Sequence, residues 1–97
     1  MAQIELSDEA AADLDGISAY SVEAFGGAVA IAYMQSFKQA FMLLAERPRI
    51  GALYEAVDPP IYSLPNRSHR VYYDIDGDRV IIRRVLHKSR DAEKWLR

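Results

Sequence analysis

Arg70, Arg83 and Arg84, with His69 and His87 close by in the sequence, are the residues whose types best suit chemistry on a phosphodiester. Cleavage of RNA by its own 2′-hydroxyl needs a base to take that proton, cations to stabilise the charged transition state, and an acid for the leaving oxygen. The three arginines can supply the cations, and an imidazole with a pKa near neutrality can act as acid or base. The same residues also have plainer uses. An arginine at the centre of a sheet pairs with a carboxylate, and Asp74 and Glu55 are the partners expected for Arg84. A histidine at a strand end is more often structural. Tyr72 and Tyr73 can stack on bases, but strand alternation sends them to opposite faces, so one of them is expected in the core. His69, His87, Asp74 and Asp91 match no metal-ligand spacing, and no metal site is expected.

The chain that must position these residues has 97 of them, enough for one compact domain over 1–97 and too few for a second core. With 51% hydrophobic and 27% charged residues it has the composition of a folded domain. The absence of cysteine excludes disulfides, thiolate zinc sites and a cysteine nucleophile, and fits a reducing compartment, so a cytoplasmic location is expected. The start, Met1-Ala-Gln-Ile-Glu-Leu-Ser, lacks the basic and apolar parts of a signal peptide, and no later stretch reads as long enough to span a bilayer. Neither a membrane nor a cofactor is expected as a partner.

Charge is divided unevenly along the chain. Residues 1–60 carry three cations (Lys38, Arg47, Arg49) against nine acids, a net of −6, whereas residues 61–97 carry nine cations against five acids, a net of +4. The second part can present a surface to an acidic partner, or its charges can disperse on folding.

Gln3 to Leu6 alternates as a short strand and leads to Ser7-Asp8-Glu9, a capped helix start with acids where the dipole favours them. Leu14, Ile17, Ser21, Ala24 and Phe25 then recur at helical spacing until Gly26-Gly27 breaks the pattern. Ala30, Met34, Phe37, Phe41 and Leu44 form a second apolar stripe over 28–46, ended by Pro48, so the two helices make an antiparallel hairpin. The segment 48–60 reads as a loop. Ile61 to Leu64 reads as a strand cut off by Pro65 and Asn66. His69 to Ile75 alternates, Asp76-Gly77 supplies a turn, and Val80 to Leu86 returns as an inner strand apolar on both faces. A short helix over 91–96 is expected to set Trp95 against the body of the domain. The spacing thus predicts an α+β domain in the order strand, helix, helix, three strands and a short C-terminal helix.

Three segments resemble a known family in the same order along the chain. They are Leu6-Ser7-Asp8-Glu9-Ala10 leading to Asp13-Leu14; Leu43-Leu44-Ala45-Glu46-Arg47-Pro48-Arg49-Ile50-Gly51; and His69-Arg70-Val71-Tyr72-Tyr73 followed by Ile82-Arg83-Arg84-Val85-Leu86-His87 and Asp91. Together they resemble the ParE branch of the RelE/ParE toxin superfamily over almost the whole chain. The resemblance implies an α+β fold with a twisted antiparallel sheet of about four strands, the N-terminal helical hairpin packed on it and a short C-terminal helix. It also implies the toxin of a type II toxin–antitoxin system, a ParD-like antitoxin whose disordered tail folds onto it as a hetero-oligomer, and DNA gyrase as the target, stalled with cleaved DNA. DNA is then met only through the antitoxin or gyrase.

Under that resemblance the target-binding candidates are Arg83, Arg84, Lys88, Arg90 and Trp95, the antitoxin-binding candidates are Leu14, Ile17, Met34, Phe37 and Phe41, and no residue is catalytic. The other branch, resembling RelE, cleaves messenger RNA in the ribosome with lysines of the middle strands and a C-terminal tyrosine. This chain has no lysine between Lys38 and Lys88 and no tyrosine after Tyr73. A YoeB-like set of Glu55, Arg70, Arg84 and His87 is the alternative that would make it a nuclease, although the Val-Leu-His element also recurs in the non-nuclease branch. A third reading is an inactive homologue kept as an antitoxin-binding module.

Overall fold

The structure, a computed structural model, describes residues 1–96; Arg97, one of the nine cations counted above, lies outside the described residues. In chain order the elements are β1 (Gln3–Leu6), α1 (Asp8–Phe25), α2 (Gly27–Glu46), β2 (Ala52–Tyr54), β3 (Ile61–Asn66), β4 (His69–Asp76), β5 (Arg79–His87) and a 3-10 turn, Ala92–Lys94. The sheet has five strands in the order β1-β5-β4-β3-β2. Its fold class is the expected α+β, but β1 pairs parallel with β5 while the other pairs are antiparallel.

The Ser7 hydroxyl accepts the Ala10 N–H and starts α1, with Asp8 and Glu9 in the first turn. Gly26, at φ 87°, ends α1 by donating its N–H to Val22 O, and α2 begins at the next residue. The α2 stripe is placed as expected: Phe37 and Leu44 are fully buried with Ala30, and Met34 and Phe41 pack against the same core. The α1 stripe holds only as far as Ser21. Every residue from Val22 to Val29 is exposed, so the end of the hairpin stands clear of the sheet and leaves Ala24 and Phe25 uncovered. By length and mean hydropathy, α2 also meets the requirement for a membrane span, contrary to the expectation from the sequence. Its apolar character comes from two sources, one face buried on the sheet and another with Ile31 and Met42 outward.

The segment after α2 is more ordered than a loop. The buried Tyr73 hydroxyl donates to Pro48 O at 2.6 Å and accepts the Gly51 N–H at 3.1 Å, which ties the helix exit to the middle of β4. A Cβ on Gly51 would lie 2.6 Å from Ser63 O, so only glycine passes here and lets β2 pair with β3. β3 runs on through Pro65 instead of stopping before it. β2 reaches only as far as Ser63, so Pro65 sits where β3 has no neighbour on that side and its missing N–H costs no ladder bond.

The β4–β5 hairpin turns at Gly77, φ 60°, with Asp76 opposite Arg79. β5 lies inside the sheet, between β1 and the middle strand β4. One face packs Val71, Tyr73, Val80, Ile82 and Val85 under the helices; the other packs Ile61, Tyr72 and Leu86 beneath Val57, Ala92 and Leu96. Both tyrosines are therefore buried, correcting the expectation that only one is core: alternation sends them to opposite faces, and each face is covered. The C-terminal segment is a single 3-10 turn instead of an α-helix, and its anchors are Ala92 and Leu96. Trp95 is 45% exposed.

Candidate functional site

β1 stops pairing at Leu6, opposite Ile82, and leaves the rest of β5 as a bare edge. The start of α1 supplies what the strand lacks. Ser7 Oγ donates to Arg83 O at 2.7 Å, and Asp13 Oδ2 accepts the Val85 N–H at 2.9 Å. Between these two bonds the register skips one residue of β5, since Tyr72 faces Arg84 and Tyr73 faces Ile82, so Arg83 is bulged. The bulge gives the two neighbouring arginines different partners.

Arg84 forks onto Asp13, Nε to Oδ2 and Nη2 to Oδ1 at 2.8 Å each, with side-chain exposures of only 18% and 15%. Its third nitrogen group, Nη1, donates to Trp95 O at 3.3 Å. The partner expected from the sequence was Asp74 or Glu55; Asp74 instead bonds Arg83 at 2.9 Å. Hydrogen bonding to Asp13 holds the Arg84 guanidinium above its already high range, with burial opposing. The Trp95 ring lies within cation–π reach of Arg84 at 5.6 Å and Arg90 at 4.7 Å, each contact contributing about 0.5–1 kcal/mol at such an exposed position. Lys88, Arg90 and Lys94 are exposed and carry no recorded ion pair among the described residues. The positive balance of residues 61–97 is thus partly dispersed, through Arg79, Arg83 and Arg84, and what stays unpaired includes three cations around the C-terminal turn.

The residues of the possible nuclease set are not brought together. Glu55 follows β2, at the far edge of the sheet from β5, three strand spacings or roughly 14 Å away. Arg70 reaches Ser63 Oγ at 3.4 Å, and Arg84 is held by Asp13. His87 is exposed, and its Nδ1 accepts the Ser89 N–H at 3.1 Å, so a neutral ring carries its proton on Nε2. His69 lies directly opposite. The Lys88 N–H bonds Ser68 O just beyond the two, which makes them a non-hydrogen-bonded pair with side chains close together, ring centroids 5.2 Å apart. Tyr33 closes on His69 Nδ1 at 2.6 Å from α2. Burial holds the His69 imidazole below its usual range, His87 adds to this, and Asp13 opposes it. Among the described residues no three His, Cys, Asp or Glu side chains are grouped to hold a metal ion.

The five antitoxin candidates divide by exposure. Phe37 is 1% exposed and inaccessible in the folded chain, because the stripe it belongs to faces the core. Leu14, Ile17, Met34 and Phe41 are partly buried against that core. Ile17 also lines a recess of about 290 Å³ walled by Tyr20, Phe25, Val29 and Tyr33 and closed by the two histidines. Met34 lines another, of about 440 Å³, beside Val22 and Ile31. Of the exposed apolar residues at the hairpin end, Tyr20, Val22, Val29 and Ile31 were missed by periodicity, which looks for the buried stripe, and the signal was their position off it; Phe25 was placed on the stripe and is exposed because the stripe outruns the sheet. Asp13 was missed as a site residue because nothing local in the sequence links it to β5.

A family model described as the ParE toxin of type II toxin–antitoxin system, parDE, matches residues 4–92. The chain is 35% identical over 96 residues to Toxin ParE1 of Caulobacter vibrioides, with 99% of each protein covered. It also superposes on a chain of the solved chromosomal ParDE toxin–antitoxin system from P. aeruginosa with a TM-score of 0.77, at 22% identity, covering 90% of this chain and 96% of that one, a likeness of fold. With a family model covering nearly its whole length, on the sheet, hairpin and C-terminal turn described above, this chain belongs to the ParE toxin family of type II toxin–antitoxin systems.

Proposed function

We propose that this toxin acts in the cytoplasm by binding DNA gyrase through its C-terminal surface, and that a ParD-like antitoxin neutralises it. The observation that carries the target surface is Trp95, half exposed and flanked by the guanidiniums of Arg84 and Arg90. The second of them has no recorded ion pair among the described residues, nor has the exposed Lys88 two residues before it. A rigid indole among arginines is the composition of a binding hot spot. Of the five residues named for this role, Arg84 is the one turned inward. Each of its three nitrogens is engaged by Asp13 or Trp95 O and its side chain is largely covered, so direct contact falls to Arg83, Lys88, Arg90 and Trp95. The antitoxin's place is the apolar hairpin, where Ile17, Tyr20, Phe25 and Val29 offer a recess to the apolar face of an amphipathic segment.

Supercoiling by purified gyrase, with and without the toxin, tests this. The wild-type protein is expected to inhibit supercoiling and trap cleaved DNA, with relief by the antitoxin. Trp95→Ala should weaken inhibition by about 2 kcal/mol, roughly thirty-fold in concentration. The double charge reversal Lys88→Glu, Arg90→Glu should do the same or more while antitoxin affinity is kept. A folded wild-type protein without effect on gyrase would turn the reading toward the ribosome or toward a toxin that has lost its activity.

A further inference from the structure

Asp13 belongs to α1, yet its carboxylate makes three bonds to the other end of the chain, two from Arg84 and one from the Val85 N–H. Arg84 passes this constraint on, through Nη1 to Trp95 O and through its guanidinium to the Trp95 ring. Arg90 also lies over the ring, at 4.7 Å, but it belongs to the stretch that follows β5, whereas Arg84 ties Trp95 to the strand itself. The C-terminal turn is three residues long, and its apolar anchors, Ala92 and Leu96, set its depth on the sheet more than the facing of the indole between them.

We infer that Asp13 is a positioning residue for the C-terminal surface: acting through Arg84, it fixes the face on which Trp95 is presented to the toxin's target. The effect on activity rests on the gyrase reading above; the placement of Trp95 does not. Asparagine is the informative substitution. Its carbonyl, standing where Oδ2 was, can still accept the Val85 N–H and Arg84 Nε, but its NH2 group then faces Arg84 Nη2, donor against donor, and the negative charge is gone. The guanidinium therefore loses its two-point hold and the strut to Trp95 loosens, while the strand edge stays satisfied.

Trp95 is the chain's single tryptophan, so its fluorescence reports on this segment alone. In Asp13→Asn, acrylamide quenching of Trp95 is expected to rise toward that of an exposed indole, with the far-UV spectrum and antitoxin affinity unchanged. Gyrase inhibition should weaken by roughly two- to thirty-fold, the range for mutations that act on a site through another residue. Glu5→Gln, which removes the carboxylate from a different ion pair with Arg79, should leave Trp95 quenching as in the wild type. If Asp13→Asn does not fold, Arg84→Lys replaces it, since one ammonium cannot hold both Asp13 and Trp95 O in the geometry of a planar fork. Unchanged quenching in a folded variant of either kind overturns the inference. Increased quenching with a wild-type protein that leaves gyrase untouched upholds the placement of Trp95 and sinks the target instead.

Discussion

His69 meets the edge of His87 across the hairpin while Tyr33 closes on its Nδ1, and burial makes a charged imidazole unfavourable there. Its pKa is lowered in the folded chain and near 6.5 in the unfolded one, so the unfolded state takes up the proton first as pH falls. Stability from this group is complete above about pH 6.5 and is lost as pH drops below that value toward the folded pKa. Asp13 is the nearby charge that softens the loss. The melting temperature of the wild type is expected to fall between about pH 7 and pH 5 more steeply than that of His69→Gln, as read by thermal melts at matched ionic strength; equal slopes would show that the pair is not the cause. At this scale the sequence was a partial guide. It supplied the right chemistry for Arg84, a carboxylate partner, but the partner itself is 71 residues away, and no local pattern reaches that far. Glu55, Arg70, Arg84 and His87 carry suitable groups for acid–base work, yet only a fold can say whether such groups meet.

Ser7 does two jobs at the junction of β1 and α1, since its Oγ caps the helix at Ala10 N and donates to Arg83 O at the edge of β5. Ser7→Ala should therefore cost about 1–2 kcal/mol, the upper part of the range for a lost helix cap, seen as a lower denaturant midpoint with an unchanged slope. A loss of less than about 0.5 kcal/mol would mean that water replaces both bonds. Elements whose signals are local were legible: the cap at Ser7, the break at Gly26, the apolar stripe of α2, and the turn at Asp76-Gly77. β2 was not. It is three residues long, mostly exposed, and a strand only because Gly51 lets it approach Ser63 and Tyr73 holds the segment before it. Pro65 misled for a similar reason, because whether a proline interrupts a strand depends on which neighbour it faces. The 3-10 turn is too short for periodicity to separate from a helix.

The whole sheet depends on a strand from one end of the chain finding one from the other. β1 docks beside β5 at Gln3↔Arg79 through Leu6↔Ile82, and Asp13 completes the same strand's edge from α1. A chain ending at Asp78 keeps both helices and four of the five strand segments, β1 without its partner, but loses Val80, Ile82 and Val85 from beneath the hairpin. It is expected to show no cooperative thermal transition, and a sharp one would mean that the hairpin and β2–β4 are stable alone. Order along the sheet therefore differs from order of synthesis. While the chain is being made, β1 has no neighbour and the helices have no complete floor until the last long strand has left the ribosome. A translation product cut short before β5 lacks both the floor under the helices and Trp95 itself, so a partial chain carries the hairpin without the surface at the other end of the fold.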